Sequence, residues 1–236
     1  MRLLVTRPQP DAEETAARLR ALGHTAIIQP LLDIVFTDPP AHVPVPGAIV
    51  LTSRNAVRAF VRWPQAGLWR DRPVFVTGPA TMRTAKAVGF TNVHAAAGDS
   101  VHLAEVIRTG FRPDDGTILY PAPRDRSGSL AEDLLRSGYD VCMIEAYRAE
   151  PAKQLDPQIM SDFRSRAIEG VLLYSPRTAA VFRTLIDKEN LRLHTETMLF
   201  ALSERVAEPL RSLTTNLRVS PTPDETALIN LLPLPP

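Results

Sequence analysis

The residues that could do chemistry in this sequence stand where predicted strands give way to helices. Four of these junctions carry a small or hydroxyl residue: Thr52–Ser53, Thr77–Gly78, Tyr174–Ser175 and Leu202–Ser203. A helix that begins at such a junction presents unpaired backbone N–H groups and the positive end of its dipole. The four junctions together indicate binding of a ligand with several anionic groups. The alternative is that each hydroxyl only caps its helix.

Tyr147 is the one side chain that we single out for proton chemistry. It ends an extended stretch that runs from Tyr139 to Arg148, just before the prolines at 151 and 157. From this position it could reach a gap between two lobes. An unperturbed phenol has a pKa of about 10, so it donates a hydrogen bond or a proton at neutral pH and is a poor base. The alternative is a tyrosine whose ring packs against a neighbouring strand.

Other reactive patterns are missing from the sequence. Neither a G-x-G-x-x-G after a strand nor a G-x-x-x-x-G-K-[ST] is present, so nucleotide binding has no support. The five histidines are not spaced as metal ligands, and Cys142 lies in an apolar run, so we expect neither a metal nor a cysteine nucleophile. Arg124 and Arg126 could hold a carboxylate between them, or they could lie in a solvated loop.

The composition limits the class of protein. The 236 residues are 44% hydrophobic and 22% charged, which is ordinary for a globular protein of one large or two small domains. A net charge of +1 provides no basic field for nucleic acid. The single cysteine suits a reducing compartment, and no apolar run approaches the roughly 20 residues that cross a bilayer. We therefore expect a soluble, cytoplasmic protein that binds neither nucleic acid nor membrane.

The strand–helix unit around Ser175 occurs twice in the chain. Residues 170–182 predict a buried strand, a serine cap and a helix, and residues 48–60 repeat this pattern. Ser53 corresponds to Ser175, and Phe60 to Phe182, at one common shift of 122 residues. The wider order of elements also repeats from Thr117 onward. Strands that alternate with helices predict parallel sheets with helices on both faces.

Proline-rich segments separate the repeated parts. The 22 prolines cluster at residues 38–46, at residues 151–157 and in the last five residues. Such segments form extended, stiff connectors rather than core. The two internal clusters predict that the chain crosses twice between two lobes.

The order and spacing of several motifs resemble the uroporphyrinogen-III synthase family. The matching pieces are Val5-Thr-Arg-Pro8, Leu51-Thr-Ser-Arg-Asn-Ala-Val57, Val76-Thr-Gly-Pro-Ala-Thr81, Leu119-Tyr-Pro121 with Arg126, Glu145-Ala-Tyr147 and Tyr174-Ser-Pro176. The resemblance implies an α/β protein of two flavodoxin-like lobes with parallel sheets, joined by a two-stranded linker. It implies a discontinuous first lobe (residues 1–35 and 152–236), a second lobe (39–143) and linkers at 36–38 and 144–151.

The resemblance also implies an activity. Members of this family are cofactor-independent lyases of porphyrin and haem biosynthesis. They dehydrate and cyclise linear hydroxymethylbilane, a polycarboxylate, and invert the last pyrrole ring through a spiro intermediate. By this resemblance we expect a monomer that uses neither a cofactor nor a metal and that can receive its substrate from hydroxymethylbilane synthase.

By the same resemblance, Tyr147 matches the linker tyrosine that is the usual candidate for the proton donor. The residues expected to bind substrate are Thr6, Arg7, Ser53, Thr77, Gly78, Thr81, Arg126, Ser175 and Ser203. The last junction departs from the family pattern, which often has a Gly- and Thr-rich turn there. Glu204 follows Ser203 and would repel a polyanion unless it points away, so Ser203 is expected mainly as a cap and donor.

Two other interpretations remain open. The first is a two-lobed relative that binds porphyrinogens or another polyanion without catalysing the reaction. The second is a nucleotide-dependent transferase on a two-lobed α/β scaffold, although it lacks a phosphate-binding motif. Enrichment of one porphyrin isomer would favour the enzyme over the binding module, and stabilisation by a nucleotide would favour the transferase.

Overall fold

The structure, a computed structural model, describes residues 1–96, 100–125 and 128–233. The chain forms two compact units. Unit 1 comprises Met1–Asp33 and Glu150–Pro236, and unit 2 comprises Ile34–Ala149. The sequence-based bounds of the discontinuous lobe, residues 1–35 and 152–236, differ from unit 1 by two residues at each break.

Strands and helices alternate through both units. The strands are β1 (Arg2–Val5), β2 (Thr25–Ile28), β3 (Leu32–Phe36), β4 (Ala48–Leu51), β5 (Val74–Val76), β6 (Val93–Ala95), β7 (Ile118–Pro123), β8 (Val141–Pro151), β9 (Gly170–Leu173), β10 (Met198–Ala201) and β11 (Leu217–Val219). The helices are α1 (Asp11–Ala21), α2 (Arg54–Phe60), α3 (Pro79–Ala87), α4 (Ser100–Gly110), α5 (Leu130–Arg136), α6 (Pro157–Arg164), α7 (Pro176–Lys188), α8 (Glu204–Ala207) and α9 (Glu225–Ile229). None of the described helices is long and apolar enough to span a membrane.

Unit 1 contains a five-stranded parallel sheet in the order β2-β1-β9-β10-β11. Counted in chain order within the unit, this is the 2-1-3-4-5 arrangement of flavodoxin-like folds. Both faces of the sheet are covered, because Leu4 packs into one hydrophobic cluster while Leu3 and Val5 pack into another. Strands buried on both faces explain the continuous apolar runs in the sequence.

Unit 2 contains a six-stranded sheet in the order β3-β8-β7-β4-β5-β6. The four pairs from β8 to β6 are parallel. If β7 and β8 are counted first, these five strands have the same 2-1-3-4-5 order as unit 1. The two strands that come first in unit 1 therefore come last in unit 2. The predicted parallel α/β fold in two lobes is confirmed, and this permutation explains why the sequence repeat starts again near Thr117.

One predicted linker is mostly sheet. Strand β8 pairs with β7 from Val141 as far as Tyr147, which lies opposite Pro123 after an irregularity in register. Residues 144–147, which the sequence suggested as part of a linker, are therefore held in the sheet of unit 2. Phe36, at the start of the other predicted linker, still belongs to β3.

The repeated phenylalanines occupy equivalent core positions. Phe60 in α2 and Phe182 in α7 are both fully buried, each against the sheet of its own unit. Gly170 begins β9 where the packing is tight: a Cβ there would lie 2.8 Å from Leu3 Cδ2 and 2.9 Å from Phe200 Cε2. A larger residue at this position would therefore have to displace two buried side chains in unit 1.

Candidate active site

Each unit has a site-forming edge where the carboxyl ends of its parallel strands meet. Ligands of such sheets bind outside these ends, at the point where strand order reverses. This point lies between β1 and β9 in unit 1 and between β7 and β4 in unit 2. Ser175 follows β9 and Ser53 follows β4, so the repeated serines occupy the same place in the two units.

In unit 2, Ser53 joins the start of α2 to Tyr147. Its backbone is extended, and its Oγ accepts a hydrogen bond from the Ala56 N–H at 3.0 Å. The Tyr147 hydroxyl lies 2.8 Å from the same Oγ. A cap hydroxyl and a phenol, 94 residues apart in sequence, therefore form one hydrogen-bonded pair.

The side chain of Tyr147 is only 6% exposed and packs in the core beside Leu119 and Ala146. Of the two alternatives that the sequence left open, this position agrees with the packed ring, and the hydroxyl of that ring meets Ser53. Burial raises the pKa of Tyr147, the hydrogen bond with Ser53 lowers it in part, and nearby Tyr120 raises it. Tyr147 is therefore protonated at neutral pH and can donate.

The rest of the unit 2 edge is made of hydroxyl groups and one open glycine. Thr77 Oγ1 donates to the carbonyl oxygen of Thr52 at 3.0 Å, so that hydroxyl ties two neighbouring junctions together. Thr81 is buried on α3. Gly78 has extended backbone, and no atom of the described residues, its chain neighbours aside, lies within 4 Å of the position that a Cβ would occupy. The space beside Gly78 gives a ligand access to the first turn of α3.

In unit 1, Ser175 repeats the capping geometry of Ser53. Its Oγ accepts from the Thr178 N–H at 3.1 Å and lies 2.8 Å from Thr178 Oγ1. The Ser53 Oγ lies next to the Tyr147 hydroxyl, whereas the Ser175 Oγ lies next to the Thr178 hydroxyl. The shared cap follows from the sequence repeat, whereas of these two cap serines only Ser53 has a phenol as its hydroxyl partner.

Thr6 does not offer its side chain to a ligand. It is fully buried, and its Oγ1 donates to the carbonyl oxygen of Leu172 at 2.7 Å. This bond links the ends of β1 and β9. The substrate contact predicted for Thr6 stays a prediction, but the hydroxyl proton of Thr6 is already used inside unit 1.

Arg7 lies at the edge of unit 1 among partners that the sequence did not reveal. Its Nη1 is 2.9 Å from Glu225 Oε1 and 3.1 Å from Thr15 Oγ1, and its Nη2 is 3.4 Å from Asp11. Its Cζ lies 4.3 Å from the centre of the Tyr174 ring, close enough for a cation–π contact. Only the folded chain brings Glu225 to Arg7, since 218 residues separate them.

The last junction differs from the other three. The Ser203 side chain makes no capping hydrogen bond, and α8 has only four residues. Glu204 pairs instead with Arg211 at the surface. The predicted side-chain cap of Ser203 is therefore wrong: the N–H groups of Val206 and Ala207 both donate to the Ser203 carbonyl oxygen, and neither bonds the Ser203 hydroxyl. Arg126 lies outside the described residues.

Among the residues that the structure describes, no group of three or more His, Cys, Asp or Glu side chains could hold a metal ion. The groups that the two edges do present are hydroxyls, helix starts and the Arg7 guanidinium.

The chain was compared with known families and structures. A family model described as uroporphyrinogen-III synthase HemD matches residues 13–230. The fold is similar to that of the uroporphyrinogen-III synthetase from Helicobacter pylori, at 17% identity, 98% coverage of both chains and a TM-score of 0.65. It is also similar to a mutant uroporphyrinogen III synthase from Thermus thermophilus, at 17% identity, 98% and 96% coverage and a TM-score of 0.56.

No sequence among the curated proteins matches significantly. At these identities the solved structures establish the fold alone. The family model, however, extends over nearly the whole chain. The chain therefore belongs to the uroporphyrinogen-III synthase family, whose members are enzymes of haem and tetrapyrrole biosynthesis.

Proposed function

We propose that this chain closes hydroxymethylbilane to uroporphyrinogen III with loss of one water. The observation that carries the proposal is the hydrogen-bonded pair of Tyr147 and Ser53 at the edge of unit 2, in a chain whose family match runs from residue 13 to residue 230. The closure changes no overall oxidation state, so we propose that it is a lyase reaction without a cofactor.

The first task of the protein is to select a conformation. Unaided closure joins the two ends without inversion, so the protein must hold the last ring where its substituted carbon can attack. Holding a flexible chain in a reactive geometry can supply several kcal/mol of barrier lowering. We propose that the carboxylates are bound by the first turns of α3 and α7, at Gly78 and Ser175, and by Arg7.

The second task is to assist the departure of hydroxide. Ser53 Oγ has two lone pairs and one proton. The Ala56 N–H uses one lone pair, and the protonated Tyr147 can donate to the other at 2.8 Å. The Ser53 proton is then left to point toward substrate. We propose that Ser53 touches the leaving hydroxyl and that Tyr147, buried behind it, polarises Ser53.

The proposed reaction balances in atoms and electrons. The C–O bond of the hydroxymethyl group breaks while the oxygen receives a proton through Ser53, which leaves an azafulvene cation and water. The last pyrrole ring attacks this cation to form the spiro intermediate. Rearrangement then restores the pyrroles, and the proton released in that step is returned to the Ser53–Tyr147 pair. Such donor assistance accelerates comparable steps by about 10²–10⁴-fold.

We also propose that the protein works in the cytoplasm as a monomer. The chain has a single cysteine, Cys142, which suits a reducing compartment. Because free hydroxymethylbilane closes unaided to the wrong isomer, we propose that hydroxymethylbilane synthase hands it over. Sedimentation of the protein alone tests whether it is a monomer. Sedimentation together with that synthase tests whether the two proteins associate for the hand-over.

The test of the activity is a porphyrin isomer assay. Hydroxymethylbilane is supplied with and without the protein, and the products are oxidised and separated. The proposal requires a type III fraction well above the control without protein. If the control fraction is found while hydroxymethylbilane or uroporphyrin still raises the melting temperature, the non-catalytic binding module replaces the enzyme.

A further inference from the structure

Arg7 belongs to a polar cluster at the edge of unit 1 that the reaction described above does not explain. We call it the Arg7 cluster, and it consists of Arg7, Asp11, Thr15, Arg18, Tyr174 and Glu225. Asp11, Thr15 and Arg18 share one face of α1, spaced four and three residues apart. Two arginines and two carboxylates balance the formal charge of the cluster.

Glu225 is the centre of this cluster. Its Oε1 accepts from Arg7 at 2.9 Å, from the Tyr174 hydroxyl at 3.2 Å and, at closer range, from Thr15. Its Oε2 accepts from Arg18 at 2.5 Å. The Glu225 side chain is 18% exposed. A carboxylate with four donors holds those donors in a fixed arrangement.

Helix α9 carries Glu225 and is itself anchored. Asp224 Oδ1 accepts from the Ala227 N–H at 2.9 Å and caps the helix. Leu228 is fully buried in the cluster that contains Leu3 and Val5 of β1. Helix α9 is therefore held against the sheet of unit 1, and Arg7 follows strand β1 of the same sheet.

Arg7 retains donors for a ligand. Of its five N–H groups, two on Nη1 serve Glu225 and Thr15, and one on Nη2 faces Asp11. The Nε–H and the second Nη2–H have no partner in the described part of the chain. Nε and Nη2 lie on one edge of the guanidinium, the kind of edge that binds a carboxylate through two parallel hydrogen bonds.

We infer that Glu225 is a positioning residue for substrate binding: it fixes the Arg7 guanidinium so that its Nε–Nη2 edge receives one substrate carboxylate. The inference rests on the proposed function and adds a residue to it. Its position supports it, because Arg7 follows β1 and Tyr174 follows β9, on either side of the point where strand order reverses.

A different role for Glu225 would be to occupy Arg7 until a substrate carboxylate displaces it. The hydrogen bonds disfavour this role. Displacement would strip the fully buried Thr15 and the Tyr174 hydroxyl of their shared acceptor as well as Arg7. The two roles predict opposite effects on substrate affinity, so they can be separated.

The test measures KM and kcat for hydroxymethylbilane, the type III fraction and the melting temperature of Glu225→Asp and Glu225→Gln. Glu225→Asp keeps the charge but is one methylene too short to reach all four donors. We expect it to raise KM about tenfold with kcat and the isomer fraction nearly unchanged, since a binding contact away from the reacting atoms is lost. Glu225→Gln is expected to raise KM as well.

The matched controls are Glu13→Asp and Glu13→Gln, because Glu13 is an exposed partner of Arg20 on α1 in the same unit. They should keep the wild-type KM. A lower melting temperature with wild-type KM in both Glu225 variants would overturn the inference and leave Glu225 purely structural. A lower KM in Glu225→Gln would overturn it in favour of the competing role. Failure of the wild-type protein to enrich type III would instead reject the proposed function, and the inference with it.

Discussion

Two buried tyrosines of unit 2 differ in what their hydroxyls contact. The Tyr147 hydroxyl meets Ser53, whereas the Tyr139 hydroxyl donates to the carbonyl oxygen of Phe111 at 2.8 Å. Both side chains are nearly inaccessible to solvent. Variants that remove each hydroxyl therefore separate the effect of losing a buried hydrogen bond from the effect of losing the proposed donor.

We expect Tyr147→Phe to lower kcat by about 100-fold, because the polarisation of Ser53 is lost. Its free energy of unfolding should fall by about 1 kcal/mol, the usual net value of one hydrogen bond. Tyr139→Phe should show a similar loss of stability with unchanged kcat. Steady-state kinetics and urea unfolding measure both. An unchanged kcat in Tyr147→Phe would show that Tyr147 only packs in the core and does not assist the reaction.

Burial also shapes how the protein responds to alkali. Burial is the main cause that raises the pKa of Tyr139, Tyr147 and Tyr174 above the ordinary value of about 10. In Tyr174 the charge of Glu225 raises it further. A raised pKa means that the folded protein holds these protons more tightly than the unfolded chain does.

The stability that these protons contribute should therefore be complete below about pH 10 and be lost as the pH rises beyond it. We expect the free energy of unfolding to be level from about pH 8 to pH 9.5 and to fall above about pH 10. Urea unfolding at each pH, with ultraviolet titration of tyrosinate, measures this. Tyrosines that all ionise near pH 10 without loss of stability would contradict the assignment.

Single residues were predictable from sequence where local chemistry decides their role. The cap serines Ser53 and Ser175 are examples, since a serine between a strand and a helix predicts the bond before helices of seven and thirteen residues. The same pattern fails at Ser203, where the helix has only four residues. The burial of Thr6 and the partners of Arg7 were not predictable. The burial of Thr6 depends on β1 and β9 becoming neighbours. The partners of Arg7 include Glu225, on a helix that lies more than 200 residues away in the chain.

At the level of elements, β9 has a tight approach that a single methyl group would disturb. An added Cβ at Gly170 would meet Leu3 and Phe200, both fully buried, at less than van der Waals distance. Gly67 lies in a short 3₁₀ helix at Ala66–Trp69, and outside that helix no atom in the described part of the chain lies within 4 Å of the equivalent point. The two glycines thus provide a crowded position and an open one.

We expect Gly170→Ala to lower the free energy of unfolding by about 1–3 kcal/mol, the usual cost of overfilling a core. Gly67→Ala should change it by less than about 0.5 kcal/mol, since nothing is displaced. Thermal unfolding of the two variants beside the wild type makes the comparison. Equal stability of the two variants would contradict this prediction, since it would show that Leu3 and Phe200 move aside at little cost in free energy.

The kinds of elements were predictable from the sequence, but their order in the sheets was not. Apolar runs followed by caps and helices indicated the strands and helices of both halves. The neighbour relations β7–β4 and β1–β9 depend on pairing between segments that are distant in the chain. The extended stretch from Tyr139 to Arg148 was predictable, but its pairing with β7 as far as Tyr147 was not, and the resemblance implied a linker from residue 144 onward.

At the scale of the whole molecule, two units repeat one sheet order with different chain connections. Unit 1 is built from the two ends of the chain, and unit 2 from the middle. Each unit presents hydroxyls and a helix start at its carboxyl edge, but the phenol lies in unit 2 and the Arg7 cluster in unit 1. The two edges therefore differ in their chemistry, with a hydroxyl pair in unit 2 and an arginine–carboxylate cluster in unit 1.

The central claim is that the chain catalyses closure with inversion, and the isomer ratio under turnover tests it most directly. Hydroxymethylbilane is supplied in large excess over the protein, and the type III and type I products are followed in time. We predict that type III predominates and that it forms in many equivalents per protein molecule. A type III amount that never exceeds one equivalent, or a ratio equal to that of the control without protein, would contradict the claim.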